Sequence, residues 1–358
     1  MQGGTVRKSG FSKKKIRKIL TTILFIGFSA GVIIATAVNE FSNNKNAAEL
    51  AEVHIDGWLV LPAALCFLVM INLEYGKCML MMKKSSNEGD FSKKELFKIA
   101  FRTVMIGRYY DKITPAAVGG QPAQIMQMRK TGKISNGMAT AIPIFSMISG
   151  QIAFMLVAIP VFLFSDVASR YPVLVATAWV GLIFYAFWPV MVVGTMFLPK
   201  PTAKLINFVV RILAKIRIIK NRDLVIKTVE KEVGDYARNV KRLTKRPAVF
   251  GGVILMSLIS NTLASSIPYF VLKAFGGDIG YFECFCLTVG VEAAVYFIPT
   301  PGNSGVAEGT FYMVFSRLST GYVFWAMMLW RFFSYYIYII VGPFIYLSQH
   351  LEKKRGNK

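Results

Sequence analysis

Ile113-Thr-Pro-Ala-Ala-Val-Gly-Gly-Gln-Pro-Ala-Gln124 lies between apolar segments, yet it is built from residues that interrupt helices. Proline lacks the N–H donor and glycine lowers helix propensity, so an unbroken helix through Pro115, Gly119, Gly120 and Pro122 is not expected. In hydrocarbon, irregular backbone is tolerated only where protein buries it or where it lines a wet cavity. The stretch therefore predicts an interior place where something polar is handled. A second stretch of the same kind is Ile298-Pro-Thr-Pro-Gly-Asn-Ser-Gly-Val-Ala-Glu-Gly309. The expectation is a fold that brings the two together.

Composition sets the surroundings of both. The 358 residues are 54% hydrophobic and only 17% charged, with mean hydropathy +0.48. That is too apolar for an ordinary soluble domain and predicts an all-α, polytopic membrane protein. The formal net charge of +23 is concentrated between the apolar runs, as in loops that face anionic headgroups. A nucleic-acid partner is the other reading of a basic chain, but no groove-reading module accompanies the charge. Cys66, Cys78, Cys284 and Cys286 lie in or beside apolar runs and lack C-x-x-C spacing, and His54 and His350 are too few for a metal cluster. No metal and no cofactor are expected.

The charges also order the chain. Residues 1–18 are basic, and Ile19–Val38 follows as an apolar run. Ala35-Thr-Ala37 admits a signal peptide, but the run is long for one and suits a retained first helix. Trp58–Tyr75 spans back, and Lys77, Lys83 and Lys84 mark the cytoplasmic side. Between basic flanks, residues 97–128 read as a hairpin that dips in and returns. Met138–Phe164, with Pro143 and Pro160 inside, and Val173–Leu198 complete a first membrane half over residues 19–199. Residues 200–246 hold fourteen Lys or Arg against four Asp or Glu and carry helical apolar stripes, as an interfacial amphipathic pair would. The second half, residues 247–350, contains Ala248–Phe275, a hairpin over residues 283–317 and Tyr322–Leu347, before a basic tail at 351–358. The count is six full transmembrane helices plus two re-entrant hairpins that enter from opposite faces, an arrangement suggestive of inverted repeats. Both termini are expected in the cytoplasm of a bacterial-type cell membrane.

Ionisable groups in apolar context are functional candidates because their burial is costly. Arg102, Arg108, Asp111 and Lys112 lead into the first break; Glu292, Glu308 and Arg331 surround the second. Glycines at 119, 120, 302 and 305 let backbone N–H groups approach a phosphate, and a helix start there is electropositive. Arg108 and Arg331 suit bidentate phosphate contacts, while Gln121, Gln124, Asn303 and Ser304 suit hydroxyls. The competing reading is structural: the glycines permit close packing, and Glu292 or Glu308 pairs with Arg331 to fix the helices. No nucleophile–base pair and no phosphate-binding loop for ATP is present, so no catalytic residue is expected.

Arg108-Tyr-Tyr-Asp-Lys-Ile-Thr-Pro-Ala-Ala-Val-Gly-Gly-Gln-Pro-Ala-Gln124, Pro299-Thr-Pro-Gly-Asn-Ser-Gly-Val-Ala-Glu-Gly309 and Arg331-Phe-Phe-Ser-Tyr335 resemble the flippase-like membrane family. That family is also called the lysylphosphatidylglycerol synthase transmembrane region, and the resemblance extends over roughly residues 15–350. In its best-known members a cytoplasmic aminoacyltransferase makes lysylphosphatidylglycerol, and the membrane part carries it outward, which protects against cationic peptides. The resemblance implies translocation or binding of an anionic or aminoacylated phospholipid or a glycolipid by a standalone membrane part. A separate aminoacyltransferase or glycosyltransferase is an implied partner, besides the anionic membrane surface. The resemblance places the family's role on Arg108, Asp111, Pro115, Gly119, Gly120, Gln121, Gln124, Pro301, Gly302, Gly305, Glu308 and Arg331, and Thr114, Glu292, Asn303, Ser304 and Tyr335 beside them complete the candidate headgroup-binding set. Two other functions remain open at this point. One is a phosphatidylglycerol lysyltransferase or its membrane subunit; the other is a scaffold recruited by residues 200–246.

Overall fold

The computed structural model describes residues 56–85, 91–197, 247–318 and 322–356, with isolated helical positions at 31, 34, 38, 204 and 208. Among the described residues every regular element is helical and no strand occurs. Helix α1 spans Val60–Ser85, α2 Lys93–Ile113, α3 Gly120–Arg129 and α4 Asn136–Phe164. A short α5, Val167–Arg170, leads into α6, Pro172–Phe197. The second part holds α7 (Pro247–Ala274), α8 (Tyr281–Val295), α9 (Val306–Phe315), α10 (Val323–Arg331) and α11 (Ile337–Gly356). A π-helical turn, Phe332–Tyr336, joins the last two.

Among the described residues, four helices are long and apolar enough to cross a membrane: Gly57–Lys83, Asn136–Phe164, Pro247–Ala274 and Val323–Gln349. The apolar part of α6, Pro172–Phe187, is shorter. The expected spanning run Ile19–Val38 and the amphipathic pair at 200–246 lie almost wholly outside the described residues. Side chains such as Leu61, Leu65, Phe164, Ile183 and Leu255 remain outward and exposed, which suits a lipid-facing belt.

Local chemistry explains where the helices start and stop. Ser92 Oγ accepts the Glu95 N–H at 3.2 Å to cap α2, and Ser135 Oγ caps α4 through the Met138 N–H at 3.3 Å. The α2 helix ends where Thr114 turns extended (φ −109°, ψ 143°), as a residue before proline prefers. Pro122 is accommodated in the first turn of α3, where a missing N–H is harmless. Pro143 and Pro160 sit inside an α4 that stays helical throughout.

The order α1–α2–break–α3–α4 recurs as α7–α8–break–α9–α10/α11. Gly120–Arg129 and Val306–Phe315 begin and end 186 residues apart, and Ser260 bonds to Glu74 across that same interval. The backbone of the two breaks follows the register. Thr114 and Thr300 are both extended, Pro115 and Pro301 both open a 3-10 turn, and Ala117 (φ 50°) and Asn303 (φ 56°) both adopt left-handed conformations. The α1 helix packs chiefly against α7, and the two run antiparallel. Lys77 meets Ser257, Glu74 meets Ser260, and Gly252 faces Leu80. The repeats are thus related by an approximate two-fold axis between Glu74 and Ser260. The α6 helix is pinned to α8 by close approaches of Gly181 to Ala293 and of Gly290 to Leu174.

Candidate functional site

The first break is closed by three side-chain stitches between α2 and α3. Thr114 Oγ1 donates to Tyr110 O at 2.7 Å and accepts the Gly119 N–H at 2.9 Å. A Cβ on Gly120 would collide with the Asp111 carboxylate, and one on Gly107 would collide with the Gln124 amide. Glycine is needed at 107 and 120 because polar side chains lie directly on the opposing backbone. Asp111 Oδ1 is buried without a hydrogen-bond partner. Gln121 is half-buried in the first turn of α3.

The second break is held by an ion pair. Glu308, 0% exposed, accepts the Gly305 N–H at 2.7 Å, the Ser304 hydroxyl at 3.2 Å and Arg331 Nε at 2.9 Å. By accepting the N–H of Gly305, the residue before α9, Glu308 in the first turn satisfies one of the free donors at the helix start. Arg331, 3% exposed, also reaches Gly302 O at 3.3 Å and lies 4.6 Å from the Tyr335 ring centroid. The π-turn after Arg331 therefore offers both the guanidinium and the Tyr335 ring to one loop. Gly302 (φ 58°) has no room for a side chain: a Cβ would strike Tyr335 and stand 3.1 Å from Lys112 O. The two breaks touch there, through Gly302 and Lys112, and Pro301 and Asn303 complete the 3-10 turn on the second side.

Around that seam the ionisable groups fall into two kinds. Arg331 with Glu308, and Arg108 with Glu74 and Lys77, have partners. Glu74 meets Lys77 at 2.7 Å, Arg108 Nη2 at 3.4 Å and the Ser260 hydroxyl at 3.1 Å, and Lys77 donates to Ser257 Oγ at 3.0 Å. Glu292 accepts one hydrogen bond, from Ser265 Oγ at 2.7 Å. Lys112 lies within electrostatic range of Glu292, Asp111, Arg108 and Arg331 and 5.9 Å from the Tyr338 ring, with no carboxylate of the described residues at ion-pair distance. Arg108, Asp111, Lys112 and Glu292 all keep partial accessibility, whereas Glu308 and Arg331 keep almost none. Tyr185 stacks on Tyr296 at 3.6 Å, and Gln151 Nε2 donates to the Tyr296 hydroxyl at 2.8 Å beside them.

Sequence reading missed Glu74 and Lys77. Lys77 was expected as a marker of the cytoplasmic side; instead it is 2% exposed and bonded on both sides. The correction has a simple cause. An i, i+3 pair of opposite charges can neutralise itself inside the bundle, and spacing was the available signal. Among the described residues no group of three or more His, Cys, Asp or Glu is placed to hold a metal, and the four cysteines are free thiols.

These features define a class: a multi-pass helical membrane protein built from a repeated unit, with two helix breaks that meet among charged side chains. The family model of the lysylphosphatidylglycerol synthase TM region matches residues 19–342, and the chain belongs to that family. No curated protein and no solved structure matches it.

Proposed function

We propose that the protein moves a phospholipid or glycolipid between leaflets, binding an anionic or aminoacylated headgroup where the two breaks meet. The observation that carries this reading is the contact of Gly302 with Lys112 O inside a ring of partly accessible charges. Non-helical backbone at such a place is expected to line a cavity, and paired broken helices near the midplane are a recurring transport design. The hairpins then enter a bacterial-type cell membrane from opposite faces, with both chain termini cytoplasmic. The antiparallel packing of α1 on α7 supports opposite entry. Arg108, Asp111, Gln121 and Glu292 line the path, while Glu308 and Arg331 hold the second break in shape for it.

The test is leaflet-resolved lipidomics on membranes with and without the protein, paired with lipid redistribution in proteoliposomes. One lipid changing leaflet at constant total amount is the expected result. A change in the total of an aminoacyl lipid, with no redistribution, would place the protein in synthesis and overturn the proposal.

A further inference from the structure

We propose that Lys112 is the anion-binding residue of the seam, and that its ligand is a phosphate group. The inference rests on the headgroup-binding reading and names the side chain that makes the contact.

Three cations surround the meeting point, and their surroundings separate them. Arg331 is fully engaged: Nε on Glu308, Nη2 on Gly302 O, and its face on Tyr335. Arg108 shares Glu74 with Lys77, so its charge is partly satisfied. Lys112 alone among these three is without an ion pair among the described residues. Its backbone carbonyl is the atom that meets Gly302, so its side chain springs from the seam itself. Lys112 is half-buried, and a cation drawn even partly out of water into a helical bundle is ordinarily paired, because an unpaired one costs stability. A lysine left unpaired between two helix breaks is an expense that folding does not require and that an incoming anion removes.

The surroundings also specify what kind of anion fits. Asp111 and Glu292 lie within range of the same ammonium, and Asp111 Oδ1 has no hydrogen-bond partner. These two repel any further anion, so the ligand must present its charge to Lys112 and an uncharged side to the carboxylates. A phosphate, with several acceptor oxygens, can meet Lys112 while its ester or hydroxyl substituent turns toward the carboxylates. Lys112 differs from the arginines in another respect. An ammonium is a point charge without a preferred plane, so it can follow a moving ligand, whereas a bidentate arginine holds one geometry.

The experiment measures thermal unfolding of the full chain in detergent, with short-chain phosphatidylglycerol, inorganic phosphate, or diacylglycerol of the same acyl chains. The wild type is expected to be stabilised by the phosphate-bearing lipid and not by diacylglycerol. Stabilisation by inorganic phosphate to the same extent would identify a free phosphate as the source, and its absence a lipid headgroup; either supports the assignment. Lys112→Gln is expected to bind about 10- to 100-fold more weakly, the range for losing a hydrogen bond to a charged group. Its melting temperature without ligand should equal or exceed that of the wild type, since an unpaired cation has been removed. Lys112→Arg should recover part of the binding.

Equal ligand shifts in Lys112→Gln and wild type overturn the proposal. So does a Lys112→Gln protein that is destabilised without ligand, because the lysine is then a structural partner. Absence of any shift in the wild type overturns it as well. Failure of the broader reading has a separate signature: a wild type that shows the phosphate-dependent shift but moves no lipid between leaflets.

Discussion

Replacing Glu308 by alanine tests the account of the second break most directly. The substitution removes the acceptor for the Gly305 N–H, the Ser304 hydroxyl and Arg331 Nε, and it leaves Arg331 at 3% exposure with only the Gly302 carbonyl to accept from it. Breaking one side of a buried ion pair costs about 3–5 kcal/mol, chiefly from the stranded charge. Loss of the α9 cap adds about 1 kcal/mol. At about 2 °C per kcal/mol, suited to a long chain, the melting temperature should fall by about 8–12 °C. The informative variant is the double one, Glu308→Ala with Arg331→Met. Removing both charges abolishes the stranded-ion penalty but not the lost cap, so the double variant should regain more than half of the loss. Thermal unfolding of the wild type, both single variants and the double variant in one detergent completes the cycle. A Glu308→Ala protein as stable as wild type, or a double variant no better than the worse single one, refutes the clamp.

Gly302→Ala should cost about 2 kcal/mol or more, since the added Cβ meets Tyr335 and a left-handed backbone disfavours it; unchanged thermal stability would contradict the close contact of the breaks. Glu74→Gln removes the one carboxylate of the described residues at ion-pair distance from Lys77 and Arg108 and should cost about 3 kcal/mol, with part of the loss recovered by adding Lys77→Met. At the exposed start of α2, the hydrogen bond from Lys133 Nζ at 2.7 Å holds the Glu95 carboxyl below its usual range. A depressed folded value means that this contribution is present above the unfolded value, about pH 4.3, and is lost as pH falls through the folded one. Lys133→Gln should therefore flatten the acid limb of the stability profile; an unchanged profile would show that the pair contributes nothing.

Much of the architecture is legible in the residues. Pro115, Gly119, Gly120 and Pro301-Gly302 announce the breaks because no tertiary context makes such a run a continuous helix. The four long apolar helices follow from length and hydropathy. The repeat is harder to see, because the shared residues in the break are few: Thr114 and Thr300, Pro115 and Pro301, Gly119 and Gly305. Its evidence is conformational, in left-handed Ala117 and Asn303, and nothing about an alanine announces a positive φ. The roles of Arg108 and Arg331 could not be divided in advance either. Both precede aromatic pairs in apolar runs, and only packing reveals that one carries a private carboxylate while the other shares Glu74 with a lysine.

The two-fold axis between α1 and α7 sets what the residues lying on it can be. Positions on such an axis face their own counterparts, and here Glu74 faces Ser260 at 3.1 Å. In an assembly of two identical half-length subunits the same position would set a glutamate against a glutamate, which repel at that distance unless they share a proton. Once the two copies are joined in a single polypeptide, each can drift independently, and one copy can keep the acid while the other supplies a hydroxyl. Glu74 and Ser260 thus form an asymmetric pairing that a single polypeptide allows and that a strict homodimer cannot encode.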